Sequence, residues 1–360
     1  VNIPLAKRLG LSLFRVYRSL QTRIHELTYL FWECTLRCNL NCLHCGSDCQ
    51  INSDTPDMPL DDFLKVLDEI RPLVNPNKTM IALTGGEPLL RKDLEACGRE
   101  FYKRGFPWGM VTNGYALTGE RLDSLLAAGL RSATVSLDGC SGSHDWLRGA
   151  KGSFERAMKA IEYCTGSDLV FDVVTCVNQR NFDEIGNLHD LLAEKRVKRW
   201  RLFTIFPKGR AASNPELRLT GDQFRRLMDF IAGARKKNIL HVSCSCEGFL
   251  GAYEGEVRDN FFFCHAGVHI GSVLADGSIS ACPSLRGDFI QGSIYTDSFA
   301  DCWNNRFKVM RNRNWTKTGI CSNCKVYAWC NGNGLHLRNE KNGEVLLCHY
   351  NLLSDRSGRG

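Results

Sequence analysis

Eighteen cysteines in 360 residues, many of them only two to five residues apart, constrain this chain more than any other feature. Cysteine at that density means either a disulfide framework or metal. Disulfide frameworks belong to short, loop-rich secreted chains. This chain is long, alternates strand and helix patterns and begins with no signal-peptide pattern. Metal therefore fits better, and an oxygen-poor cytoplasmic setting is expected for it. The tightest group reads Cys34-Thr-Leu-Arg-Cys38-Asn-Leu-Asn-Cys42-Leu-His-Cys45. Thiolates at Cys38, Cys42 and Cys45 can hold three irons of a [4Fe–4S] cubane and leave the fourth open. Structural zinc prefers four ligands from paired knuckles, which this run lacks.

Other totals decide little. Hydrophobic content of 43%, charged content of 24% and a net charge of +7 suit a globular protein that could meet anionic small molecules, acidic peptides or a membrane surface. No apolar run approaches the ~20 residues of a spanning helix, and no basic stretch with interleaved aromatics points to nucleic acid.

Residues 1–26 form a cationic amphipathic helix, expected to pack on the main body; a membrane-surface role is the alternative. Strand and helix then alternate. Leu27–Trp32 leads into the cysteine loop, and a helix follows with Leu60, Phe63, Leu64, Leu67 and Ile70 on one face. Strands at 79–83, 107–112, 131–137, 168–177 and 199–206 are interleaved with helices at 91–104, 119–128, 153–164 and 182–195. A last helix carries Phe224, Leu227, Met228 and Ile231. Six repeats imply a parallel sheet with functional residues at its C-terminal strand ends. Past residue 240 the alternation fades, and seven cysteines lie beyond 260. That part is expected to be a second unit held by metal rather than by a large apolar core. The expected divisions are 1–26, 27–238, 239–353 and a disordered 354–360.

Cys38-x3-Cys42-x2-Cys45 resembles the signature of the radical S-adenosylmethionine (SAM) superfamily, with His44 at the position usually aromatic. Gly85-Gly86-Glu87-Pro88 resembles the family's GGEP motif, which the resemblance makes a contact to the SAM amine. Ser136 and Asp138, in Ser-Leu-Asp-Gly, and Asn113, in Thr-Asn-Gly, end strands where the family binds SAM. Arg148 is a candidate anion ligand or a surface ion pair. The resemblance covers residues 27–210 and implies an α/β fold, a partial (β/α)6 TIM-like barrel. It implies reductive SAM cleavage to a 5′-deoxyadenosyl radical at a [4Fe–4S] cluster, fed by a flavodoxin- or ferredoxin-type donor. Cys34 and Cys49 are read as bystander thiols, and Cys97, Cys140, Cys164, Cys176 and Cys302 as small core residues.

Cys264-x12-Gly277-x4-Cys282, followed by Cys321-x2-Cys324-x5-Cys330 and Cys348, resembles the SPASM extension of peptide-modifying members of that superfamily. The resemblance assigns Cys321, Cys324, Cys330 and Cys348 to an outer auxiliary [4Fe–4S] cluster. It assigns Cys264 and Cys282 to an inner one, with Cys244 or Cys246 upstream. The pattern asks for cysteine at 334, where this chain has Gly334. That leaves an inner cluster with an incomplete protein shell, one completed by Cys302 or a non-cysteine ligand, or no inner cluster.

The resemblance implies modification of a peptide or protein. Pro283 departs from the sulfatase maturases, which carry an acid there. The Phe31-Trp32-Glu33-Cys34-Thr35 lead-in is similar to a SPASM subgroup associated with small lipoproteins. The alternative is a small-molecule enzyme resembling the haem-pathway decarboxylases. A non-catalytic electron carrier is disfavoured, because it has no use for an open iron.

Overall fold

The computed structural model describes residues 3–245 and 248–354. After α1 (Leu5–Ile24), strands and helices alternate: β1 (Tyr29–Thr35), α2 (Leu60–Ile70), β2 (Met80–Gly85), α3 (Leu94–Lys103), β3 (Trp108–Thr112), α4 (Gly119–Ala127) and β4 (Leu130–Ser136). Two helices follow β4, α5 (Ser141–Arg148) and α6 (Ser153–Thr165). Next come β5 (Val170–Val177), α7 (Ile185–Glu194), β6 (Arg199–Thr204), α8 (Gly221–Lys237) and β7 (His241–Cys244). The remaining elements are short: β8 (Ile270–Val273), β9 (Ser278–Ser280), β10 (Gly292–Ser293), α9 (Phe299–Asp301), α10 (Lys308–Arg311), α11 (Tyr327–Cys330) and α12 (His349–Ser354).

β1 to β7 pair in parallel, each beside the next, as the core of a partial α/β barrel. Helices cover the outer face; β1 to β3 read as mostly apolar runs, whereas β4 to β6 alternate buried with less buried positions. Trp32 of β1 stacks on Phe63 of α2 at 4.4 Å between ring centres, with Phe101 of α3 edge-on to both. Helix ends follow local chemistry: Thr220 and Gln223 form a capping box on α8, and Asn238 ends that helix in the left-handed region.

Two elements depart from expectation. β7 adds a seventh parallel strand, too short to stand out in the sequence. β8, from the cysteine-rich C-terminal part, pairs in parallel with the free edge of β1, from Tyr29–Ile270 to Trp32–Val273, and β9 and β10 extend the sheet. Phe299, Trp303, Phe307 and Met310 are buried in the same apolar core as Leu27 and Leu30. The part past residue 240 thus shares an apolar core as well as its cysteines. Ser354 ends α12, and the rest of the expected disordered tail lies outside the described residues.

α1 lies against this C-terminal part. Among the described residues no helix is long and apolar enough to cross a membrane.

Candidate functional site

The cysteine loop leaves the C-terminal end of β1 and is pinned from several sides. The Gly86 amide donates to Thr35 O at 2.8 Å and the Glu87 amide to Arg37 O at 2.9 Å. A Cβ at Gly85, whose φ is +127°, would stand 2.1 Å from Thr35 O, and one at Gly86 2.0 Å from Arg37 O. The glycine pair is therefore needed to let β2 seat the cysteine loop, a role its motif did not suggest. Arg210, which sequence reasoning missed, staples the loop. Its Nε donates to Cys42 O at 2.7 Å, its Nη1 to Cys49 O at 3.1 Å, and its amide to Cys45 O at 3.0 Å. No motif marks such a residue, which lies more than 160 positions away from its partners.

Cys38, Cys42 and Cys45 all line one cavity of about 800 Å³ at the C-terminal strand ends. Three N–H groups address their sulfurs: Asn113 Nδ2 to Cys38 at 3.9 Å, Arg148 Nη1 to Cys42 at 3.7 Å and the Cys49 amide to Cys45 at 3.4 Å. Burial pushes the Cys38 thiol up to about 11. The Cys49 thiol donates to Cys45 and holds it below the usual thiol value. Cys49 is thus a partner of the triad rather than a bystander. Cys34, by contrast, is fully buried and donates to Thr84 O.

The same cavity is lined by His44, Gly85, Gly86, Asn113 and Ser136. Glu87, Pro88 and Asp138 stand behind its wall. Glu87 is fully buried: Oε1 accepts from Thr112 Oγ1 at 2.7 Å and Leu89 N at 3.2 Å, and Oε2 from Asn113 N at 2.7 Å. Its carboxylate ties the β2 end to the β3 end and does not face the cavity. Asp138 is also fully buried, paired with Arg148 at 2.6 Å and accepting from the Cys176 amide at 2.7 Å. Arg148 is therefore no surface ion pair; it bridges Asp138 and the Cys42 sulfur. Burial lowers His44 to about 4 and leaves its Nδ1 without a hydrogen-bond partner. Cys97, Cys164 and Cys302 are core residues as expected, whereas Cys176 lines the cavity.

The far wall comes from the C-terminal part: Pro283, Ser284, Arg286, Asn339, Glu340 and Lys341. Arg286 pairs with Glu33 of β1, and Lys208 with Glu340 at 2.7 Å. Farther out, Cys321, Cys324, Cys330 and Cys348 line one small pocket, and Arg338 Nη2 donates to the Cys321 sulfur at 3.3 Å.

Cys264 and Cys282 are near enough to interact electrostatically. Burial works to raise Cys264, but Arg313 and the Leu335 amide outweigh it and lower the thiol. Of the upstream candidates, Cys244 sits in the apolar core and Cys246 lies outside the described residues. Cys302 donates to Gln291 O. A Cβ at Gly334 would stand 2.8 Å from His336 Cε1 and 3.0 Å from its Nδ1. The His336 ring fills the space a side chain at 334 would need.

Among the described residues, no three His, Cys, Asp or Glu side chains close around a single metal ion. A lone tetrahedral ion needs sulfurs within about 4 Å of one another. Cys38, Cys42 and Cys45 share one cavity and each sulfur is met by an N–H donor, a donor set that fits a multi-iron cluster.

Residues 32–192 match the family model of the Radical SAM superfamily, and residues 264–325 that of the SPASM iron–sulfur cluster-binding domain. The AdoMet-dependent heme synthase of Methanosarcina barkeri is 27% identical over 343 residues, 89% of this chain and 95% of that protein. The mycofactocin maturase MftC of Mycolicibacterium smegmatis is 27% identical over 310 residues, 84% of this chain and 76% of that protein. Among solved structures, Streptococcus suis SuiB bound to its precursor peptide SuiA superposes with a TM-score of 0.69 at 16% identity, covering 99% of this chain and 80% of that one. That likeness speaks for the fold.

Proposed function

Because the chain is a radical SAM enzyme with a SPASM iron–sulfur domain, we propose that it modifies a peptide or protein whose reacting residue enters the cavity between the cysteine loop and the 283–286 and 339–341 segments. Cys38, Cys42 and Cys45 hold the SAM-binding cluster. Cys321, Cys324, Cys330 and Cys348 hold an outer auxiliary cluster, and Cys264 and Cys282 contribute to an inner one. When bound, the first cluster and SAM supply a 5′-deoxyadenosyl radical that takes hydrogen from the substrate. The chain's own residues fix the geometry. Arg210 and the Gly85–Gly86 backbone set the loop, Asn113 and Arg148 direct N–H groups at its sulfurs, and His44 and Ser136 face the cofactor space.

The cavity carries this reading. A drug-sized ligand occupies several hundred Å³, so SAM leaves only part of about 800 Å³ for substrate. One side chain of a polymer fits there, its main chain lying across the open mouth at the exposed Lys341. A whole tetrapyrrole would have to fill what remains. A second reading, decarboxylation of a porphyrin, is favoured by the cations Lys208, Arg286 and Lys341 on the cavity wall and by the heme-synthase relative. Anaerobic reconstitution followed by 5′-deoxyadenosine assays with candidate precursor peptides and with iron coproporphyrin separates the two. Peptide-stimulated turnover with a mass change in the peptide is expected. Porphyrin turnover with loss of CO2, and no response to peptide, would overturn the peptide reading.

A further inference from the structure

α1 docks with the wrong side inward. Its contacts to the C-terminal part combine polar links with a small apolar cluster in which Ile3 and Leu11 meet Phe249, Phe262 and Val326. Lys7 donates to Ala252 O and pairs with Glu256 at 2.8 Å, and Arg18 donates to Trp329 O at 2.6 Å and Ala328 O at 3.0 Å. Leu11 is buried on this side, and Phe14 meets Phe261 edge-on at 5.6 Å. The opposite side is apolar and open. Leu5, Leu9, Leu13, Val16, Tyr17, Leu20 and Ile24 are each between 50% and 73% exposed. Their spacing puts them on one stripe running the length of the helix, which at 1.5 Å per residue is ~30 Å. A continuous exposed apolar stripe marks an interaction surface, whereas scattered single residues do not.

Charge selects the occupant. The helix has no acidic residue; the exposed Arg8 and Arg15 lie along one flank of the stripe, Arg8 also 5.9 Å over the Trp329 ring, and the exposed Arg23 stands at the C-terminal end of the stripe. A second copy would bring only further cations to that flank, with none of the opposite charges that pair helices. An anionic lipid surface takes both halves of the pattern, burying the leucines among acyl chains and neutralising the arginines at the headgroups. No described helix can span a bilayer, so the contact lies in the plane of the surface. We propose that α1 seats the enzyme on an anionic membrane through Leu5, Leu9, Leu13, Val16, Leu20 and Ile24, with its polar side clamped to the 252–256 and 328–329 segments.

The test is sedimentation of the anaerobically reconstituted full chain with vesicles of phosphatidylcholine, alone or mixed with phosphatidylglycerol. Binding to the mixed vesicles that weakens with salt is expected, with little binding to phosphatidylcholine alone. Leu9→Glu with Leu13→Glu should cut partitioning by at least ~10-fold. Arg8→Gln with Arg15→Gln and Arg23→Gln should abolish the preference for phosphatidylglycerol. Every substituted side chain is exposed and remote from the cavity, so SAM cleavage in lipid-free buffer should match the parent and certify folding. Two results would overturn the proposal: binding indifferent to lipid charge or to Leu9→Glu/Leu13→Glu, and no vesicle binding alongside a concentration-dependent dimer that this double variant dissolves. The second would make another copy the occupant.

Discussion

Glu87→Gln tests whether the GGEP carboxylate is an internal pin or a ligand contact. In the parent, three donors converge on its two oxygens: the Thr112 hydroxyl, the Leu89 amide and the Asn113 amide. Burial raises its pKa while those donors pull the other way. Glutamine must turn its NH2 toward one oxygen position or the other. Toward Asn113 it faces an amide N–H; toward Thr112 and Leu89 it faces another. Either way one buried N–H loses its acceptor, and the hydrogen bonds that remain lose their charge assistance. The combined cost is about 2–4 kcal/mol. Unfolding entropy of ~2.1 cal/mol/K per residue gives ~0.75 kcal/mol/K for a chain of this length, so Tm should fall by roughly 4 °C. Calorimetry of the SAM-free, cluster-loaded enzyme measures that shift, and isothermal titration measures SAM affinity in parallel. An unchanged Tm together with a large loss of SAM affinity would refute the pin and restore a direct contact.

Four further outcomes follow from the geometry. Arg148→Met should leave Asp138 as an uncompensated buried charge and destabilise the fold by about 3–5 kcal/mol, with Arg148→Lys recovering part of the loss in a melting assay. Gly86→Ala should force Arg37 O away from β2 and release iron from the cysteine loop, read as lost iron per chain after reconstitution, because its Cβ would stand 2.0 Å from that oxygen. Cys321→Ala should lower the iron count by about four per chain yet still allow 5′-deoxyadenosine formation. The pH dependence is set partly by His144, which burial first and Arg148 second lower to about 4, below its unfolded value of about 6.5. The stability it contributes is present above pH ~6.5 and lost as pH falls toward ~4, roughly 3 kcal/mol in all. His144→Gln should flatten that part of the Tm-against-pH curve, and an unchanged slope would remove His144 from the account.

Local spacing made much of the site legible. Cys38, Cys42 and Cys45 lie within eight residues, so one loop carries all three and their nearness to one another is local. The alternation of β1 to β6 with helices was equally plain, since period and punctuation are local. What stayed hidden depends on distant partners. Arg210 reaches back to Cys42 and Cys45, Glu33 pairs with Arg286, and β8 joins β1; no window of sequence holds both ends of such a contact. Glu87 was legible as a motif but not in its direction, because the sequence does not say which way a side chain turns at a strand end. α1 shows the same limit. Periodicity revealed its apolar stripe, and only the contacts of Lys7 and Arg18 show that the stripe faces outward.

The pairing of β8 with β1 also sets a timetable for synthesis. β1 emerges early, yet the strand that covers its outer edge follows about 240 residues later. At the usual ~5–20 residues per second of translation, that edge stays bare for roughly 12–48 s. During this interval an apolar strand with unsatisfied amides and carbonyls borders the loop of Cys38, Cys42 and Cys45, open to pairing with another chain. Truncation before residue 270 would make the exposure permanent. Fragments ending there should aggregate even when supplied with iron and sulfide, and the yield of soluble enzyme should rise when translation is slowed less, not more, between β7 and β8.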